Sequence, residues 1–370
     1  MAESPQPPPQ PPTQPQPTPY WQSQSRETRG VAFYVAIFLA LLLLVSAGLN
    51  LVLLLVTTFS AFDPATMSVE DSSGHRLVPV GGARDARNKI LRIPIDGAIA
   101  EASSPLIGGA GGTVTEVERA LRLASRDESI RAVLIDVNSP GGGVTDSDAI
   151  HRAVTEFRRM HPSKPVVALL GDIAASGGYY VAVAAEKIYS RPTTITGSIG
   201  VILQTWNVAE AMDNLGIAQV TIVSERTPYK DMLSPTRPPR SEEIAMLRSI
   251  VDEMYDRFVD VVAAGRPKLT REQVVALANG ALYSAMQAMA GGLVDEIHDL
   301  GSALDRIAAD HPETVGHAQL VELRRIPTLL EALTGARQRN GGIGAVDNAV
   351  ERLLGATTGS KLLYYWPGGR

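Results

Sequence analysis

Apolar positions are distributed along the chain in two regimes. From Gly30 to Phe62 no charged residue interrupts an apolar run centred on Ile37–Val45. From about Lys89 to Leu300, short apolar blocks alternate with longer stretches of helical period. The blocks Ile90–Ile95, Ala132–Val137, Val166–Leu170, Ile188–Ser190 and Val220–Val223 have the length and β-branched content of strands. Helical spacing covers Val114–Leu123, Asp146–Met160, Ala175–Ala185, Ala209–Leu215 and Ser241–Ala264. The helix after Arg240 opens on Ser241-Glu242-Glu243, with acid in its first turn, and Thr270-Arg271-Glu272-Gln273 opens a shorter one. Strands alternating with helices predict an α/β fold with a mostly parallel sheet covered by helices. Past Leu300 the pattern fades. Leu320–Leu333 reads as helix, and the apolar end Leu362-Leu363-Tyr364-Tyr365-Trp366 is expected to dock on its own subunit, a neighbour or the membrane.

The uncharged run exceeds the roughly 20 residues that span a bilayer, and is longer than the apolar core of a cleaved signal peptide. It reads as one retained transmembrane helix, 30–60. The 1–29 stretch ahead of it, rich in Pro and Gln, cannot bury enough surface to fold and reads as a disordered tail. Arg26 and Arg29 precede the helix, whereas Asp63, Glu70 and Asp71 follow it. That bias predicts a cytoplasmic tail and a main domain outside the membrane. The expected organisation is then tail 1–29, helix 30–60, connector 61–88, globular domain 89–312 and C-terminal extension 313–370.

Composition narrows the chemistry. A net charge of −5 argues against nucleic acid as the main partner. With no cysteine there is neither a disulfide nor a thiol nucleophile. The six histidines (His75, His151, His161, His298, His311 and His317) are scattered and form no metal-ligand pattern. None follows Ser176 where a neighbouring strand would return a base.

Ser176 itself sits where the strand from Pro165 to Leu170 meets a small-residue turn and a helix. Upstream, Asn138-Ser139-Pro140-Gly141-Gly142-Gly143 follows another strand in the same way. Two such turns can aim backbone N–H groups at one point, where a serine could attack a carbonyl. A plain helix N-cap is the competing reading of Ser176. Gly-x-Ser-x-Gly is absent around serines of this region, and Ser-x-x-Lys is absent too, which weakens the α/β-hydrolase and penicillin-binding readings. Of the few lysines, Lys230 in Thr227-Pro228-Tyr229-Lys230-Asp231 is the candidate base, with a loop lysine paired to Asp231 as its alternative.

These motifs, with Thr196-Gly197-Ser198-Ile199-Gly200-Val201 and the segments Gly280–Ala285 and Gly291–Asp295, resemble the signal peptide peptidase A family. The resemblance covers about Lys89 to Leu300. It implies a bacterial membrane-anchored Ser/Lys peptidase, short form, on the Clp-protease/crotonase-like fold. It makes 89–312 the peptidase domain, Ser176 the nucleophile and Lys230 the general base. Ser198 then orients the lysine, and the N–H groups of Gly142 and Gly177 form the oxyanion hole. It further implies remnant signal peptides and other short hydrophobic unfolded peptides as substrates, with no cofactor or metal. A ring-shaped homo-oligomer and a single pass through the inner membrane, with the catalytic domain extracytoplasmic, complete the expectation. Two rival functions share the fold: a crotonase-like acyl-CoA enzyme and a non-catalytic membrane scaffold.

Overall fold

The computed structural model of the chain describes residues 28–60, 75–83, 85–101, 112–325 and 362–365. It divides into two compact units, Met1–Met67 and Ser68–Arg370. In the first, helix α1 (Thr28–Ser60) runs for 33 residues, about 50 Å at the α-helical rise. Its described side chains, those of 33–48, 50 and 51, stop short of both helix ends and are exposed. Among the described residues no helix is long and apolar enough to cross a membrane. The expected disordered tail lies outside the described residues, except for the first two positions of α1.

The second unit begins with β1 (His75–Gly82), β2 (Asn88–Asp96), α2 (Thr113–Arg126), β3 (Ile130–Ser139), β4 (Gly141–Gly143) and α3 (Val144–Met160). Next come β5 (Val166–Ala175), α4 (Gly177–Ala182), β6 (Lys187–Ser190), β7 (Ile195–Gly197), β8 (Ile202–Leu203) and α5 (Ala209–Asn214). The chain continues through α6 (Ser241–Gly265), α7 (Arg271–Leu277), β9 (Leu282–Ser284), α8 (Ala285–Ala290), β10 (Glu296–Ile297), α9 (Leu300–Asp310), β11 (Ala318–Arg325) and β12 (Leu362–Tyr365).

Nine strands make the main sheet, in the order β1-β11-β2-β3-β5-β6-β10, with β7 against β5 and β9 against β7. Its β11, β2, β3, β5, β6 and β10 are mutually parallel, as the alternation of strands and helices predicts. Both faces are covered. Leu91, Ile93, Val133, Ile135, Val137, Ala168 and Leu170 face a core built with α2, α3, α4 and α6. The intervening Ile90, Ala132, Leu134, Val167 and Leu169 face Ala303 and Ile307 of α9. Hence the strands read as unbroken apolar runs.

β5 is long enough to give one edge to two partners. Val167–Leu170 pair with β6, and Ile173–Ala175 pair with β7. Between them Thr194 Oγ1 donates to the carbonyls of Leu170 (3.1 Å) and Gly171 (2.7 Å), filling the gap.

Several expectations are corrected. Val220–Val223 is not a strand; Val220 is 83% and Ile222 92% exposed, so the β-branched run has no sheet to join. The helix expected over Ala175–Ala185 is only α4, because the chain must return to β6: the Ala184 and Ala185 N–H groups close three-residue turns and Glu186 N–H already donates to Val166 O. Leu320 and its neighbours form β11, parallel to β2, and not a helix. With β1 paired antiparallel to β11, the sheet draws strands from both sides of the expected 89–312 limits.

Candidate active site

The parallel pairing of β5 and β7 sets the site. Ala175 lies opposite Gly197, so Ser176 and Ser198 leave the two strand ends side by side. Ser176 N–H donates to Gly197 O at 2.8 Å, and Ser176 O accepts from Tyr180 N–H at 2.9 Å. Between these ties the backbone of Ser176 is forced to φ 53°, ψ −118°. Such a conformation costs a non-glycine residue on the order of 1–3 kcal/mol. The only other described non-glycine residues at positive φ are Ser198 (49°) and Leu233 (68°), the latter three positions past Lys230. Ser176 is 1% exposed, and its Oγ has no hydrogen-bond partner. Its side chain makes no capping bond to α4 either, which removes the simple N-cap reading. No histidine reaches it. His151 is half-buried, its ring edge-on to that of Tyr180, and desolvation lowers its pKa to about 4, leaving it neutral.

Helix α4 is bolted in place. Tyr179 Oη donates to Leu293 O at 2.8 Å, and Tyr180 Oη donates to Asp148 at 2.7 Å. A Cβ on Gly178 would lie 2.7 Å from Ser139 O, so α4 can sit this close to the glycine turn only with glycine there.

The turn after β3 is organised from both ends. Gly141, at φ 104°, donates its N–H to Ser139 Oγ at 3.0 Å. Ile99 N–H donates to Gly141 O, and Gly143 N–H donates to Ile99 O, both at 2.9 Å. A side chain on Gly142 would collide with the Ile99 carbonyl. Because adjacent backbone groups in a strand alternate sides, the N–H of Gly142 faces away from Ile99.

Ser198 N–H donates to Ala281 O at 2.7 Å. Its residue lines a cavity of about 530 Å³ bounded also by Ile202, Gln204, Asp252, Tyr255 and Asn279. The cavity therefore opens beside the Ser176–Ser198 pair.

Lys230 is placed differently. It lies in an exposed turn, where its N–H donates to Thr227 O at 3.0 Å, and its ammonium makes no hydrogen bond or ion pair. Ser176 and Ser198 are brought together in this chain, whereas Lys230 makes no hydrogen bond to Ser176 Oγ. Asp231 is not its partner. Arg237 grips Asp231 at 2.7 Å and Arg240 reaches it at 3.2 Å. Both arginines also hold the buried Glu243 at 2.6 Å. Glu243 further accepts from Arg240 N–H at 2.9 Å, so the N-cap of α6 is Arg240 and not a serine. The guanidinium of Arg240 also stands 5.8 Å over the Tyr229 ring. The Arg237 hydrogen bonds, with Arg240 behind them, hold the Asp231 carboxyl below its ordinary range and the Glu243 carboxyl well below it.

Both carboxyls are depressed on folding. Their contribution to ordering the lysine turn is therefore complete above about pH 4 and is lost as pH falls through their folded values. Glu243→Gln should speed amide exchange across 227–236 by on the order of tenfold at neutral pH. The parent should loosen in that way only in acid. Unchanged exchange in the variant excludes the clamp.

Sequence reasoning missed the Ile99 bridge, the Arg237/Arg240/Glu243 clamp and the pairing of β12. Only the clamp left a signal: Arg237, Arg240 and Glu243 stand three residues apart, a spacing that brings side chains together at a helix start. Among the described residues no cluster of His, Cys, Asp or Glu could hold a metal ion.

The profile of peptidase family S49 matches residues 158–312. A putative signal peptide peptidase SppA from Enterococcus faecium is 34% identical over 223 residues, covering 60% of this chain and 63% of that protein. A putative protease from Synechocystis sp. is 38% identical over 211 residues, covering 57% of this chain and 70% of its own length. Among solved structures, a ClpP1 mutant from Listeria monocytogenes is similar at 20% identity, covering 56% of this chain and 91% of that one with a TM-score of 0.37. Likeness at that level adds nothing to the sheet order described above.

Proposed function

The chain belongs to peptidase family S49, the signal peptide peptidase A family of serine peptidases, and on that premise we propose that it is a membrane-anchored endopeptidase working through Ser176 and Lys230. One observation carries the reading: a buried serine held at positive φ, its Oγ unpartnered, at the start of a helix packed on a glycine turn. Strain of this kind persists only where the surroundings over-determine it, and it clusters at sites of chemistry.

The proposed reaction is acyl transfer through the serine. Ser176 Oγ bonds to the carbonyl carbon of an extended peptide, and its proton passes to the neutral amine of Lys230. The negative charge gathers on the former carbonyl oxygen, for which the Gly142 and Gly177 N–H groups are the proposed donors. When the C–N bond breaks, the lysine returns the proton to the departing amine. Water repeats the sequence on the acyl-enzyme and frees Ser176. Ser198 orients the lysine by a hydroxyl contact that adds no charge. None of these steps requires a metal or cofactor.

Lys230 is exposed and free of partners in the single chain, so we place the working lysine on a neighbouring copy in a homo-oligomer. Two facts support this. The segment before Lys230 exposes Trp206 (72%), Leu215 (73%) and Ile222 (92%), large apolar side chains of the kind that subunit contacts cover. The lysine is also not diverted into an ion pair with Asp231 or Asp172, whose partners are arginines. A non-catalytic scaffold has no need of that arrangement.

Helix α1, uncharged from Gly30 onward, is the proposed anchor, with Arg26 and Arg29 on the cytoplasmic side and the peptidase domain outside. Substrates left in the membrane by signal cleavage fit that position.

The test is labelling of the detergent-solubilised full chain with an electrophilic serine-directed probe, followed by mass mapping. The label should sit on Ser176. A label on another serine, or continued peptide hydrolysis with Ser176 unlabelled, overturns the assignment.

A further inference from the structure

β3 and β5 fall out of step just before the site. Val137 lies opposite Leu170, and the next pair is Ser139 with Ala174. Asn138 therefore faces three residues, Gly171, Asp172 and Ile173, and β5 carries a bulge two residues deep. Bulges are rare between parallel strands, and beside active sites they re-aim a side chain. This one falls where β5 changes partner from β6 to β7.

A bulge strips backbone groups of their ladder partners, and buried groups need replacements. Two side chains supply them. Thr194 is 1% exposed, and its Oγ1 donates to the carbonyls of both Leu170 and Gly171. From the opposite edge, Asn138 Oδ1 accepts from Ile173 N–H at 3.3 Å. The fit is close: a Cβ on Gly171 would stand 3.0 Å from the Asn138 Cβ and 3.1 Å from Val137 O.

The bulge decides where the serine arrives. Two strand residues are about 7 Å of chain. Without the bulge, Ser139 would face Asp172, and Ser176 would lie that far past the glycine turn. With it, Ser176 and Gly141 each stand two positions beyond the Ser139–Ala174 pair. Ala175 is at the same time level with Gly197. One irregularity thus sets Ser176 against the turn of β3 and the end of β7 together.

We infer that Thr194 and Asn138 are positioning residues for Ser176, acting through the backbone of the bulge. The inference rests on the peptidase reading above. It assigns work in the reaction to two side chains that bond only main-chain groups of β5.

The test uses the full chain in detergent with a fluorogenic apolar peptide. Thr194→Val keeps the side-chain shape and removes the hydroxyl, whereas Thr194→Ser keeps the hydroxyl. For each protein kcat is expressed per site titrated by the serine-directed probe. It should fall about tenfold to a hundredfold in the valine variant, the scale of a misplacement near 1 Å. KM should stay within about twofold, and the pH–rate profile should keep its midpoint, because neither the peptide contacts nor the base has changed. The serine variant should recover kcat to within about threefold of the parent. Asn138→Ala should lower kcat in the same sense and speed exchange of the Ile173 amide by on the order of tenfold. A valine variant that melts lower yet turns over at the parental rate per titrated site overturns the inference, as does a serine variant no faster than valine. If the valine variant does not fold, Asn138→Ala decides alone, and parental kcat there overturns it. Absence of hydrolysis by the parent overturns the peptidase reading and this role with it, an outcome distinct from a slow variant of an active parent.

Discussion

Ser176→Ala should fold as the parent does and lose peptide hydrolysis by about a thousandfold or more. The fold is safe because the Oγ bonds nothing; the ties of residue 176 run through its N–H to Gly197 and its carbonyl to Tyr180. Alanine also keeps the Cβ, so the strain of φ 53° is unchanged. Glycine relieves it. Ser176→Gly should therefore be equally inactive yet melt higher by about 2 °C, as a gain near 1 kcal/mol gives in a domain of this size. Activity assays and thermal melts on the three proteins decide the matter. A well-folded alanine variant with near-parental turnover removes Ser176 from the chemistry, and a glycine variant that melts lower removes the strain argument.

The second large effect is at Lys230. Both Lys230→Ala and Lys230→Arg should reduce turnover on the order of a hundredfold to ten-thousandfold, because a guanidinium does not deprotonate at accessible pH. Conserving the charge conserves nothing that a base needs. An amine accepts a proton only when neutral, so parental turnover should rise with pH. The exposed position of Lys230 adds a sharper consequence. If the lysine is donated by a neighbouring copy, Ser176→Ala and Lys230→Ala chains, each inactive alone, should regain activity when co-assembled. Random mixing in a ring pairs an intact serine with an intact lysine at up to about a quarter of the sites. No recovery in demonstrably mixed oligomers would place the lysine in the same chain as its serine, and an active arginine variant would exclude a lysine base.

What the sequence disclosed follows from how each element is stabilised. β2, β3 and β5 were legible because both of their faces are buried, which writes them as continuous Ile, Leu and Val. β1 and β11 lie outside that rule. β1 is an antiparallel edge strand carrying Arg76 and Pro79, and β11 buries Leu320 and Val321 but runs on into Glu322, Arg324 and Arg325, so neither forms an apolar run. Val220–Val223 misled for the opposite reason: its composition suits a strand, yet its apolar side chains face outward. Within the site, adjacency of Ser176 and Ser198 could be anticipated only through the resemblance, because the parallel register of β5 and β7 is tertiary information. The lysine turn was visible as a motif, and the three-residue step from Arg240 to Glu243 was readable, but both arginines reach back to Asp231 across six and nine residues of irregular chain, beyond what local periodicity encodes.

The shared edge of β5 separates two kinds of inheritance. Positions 167–170, set against β6, are answerable for whether the protein exists as a folded species. Positions 173–175, set against β7, align Ser176 with Ser198 and, on the proposed mechanism, are answerable for how fast it works. Damage to the first half shows itself as lost soluble protein; damage to the second leaves abundant protein that turns over slowly. A library of variants screened for expression alone would be blind to the half of this one strand that lies nearest the chemistry.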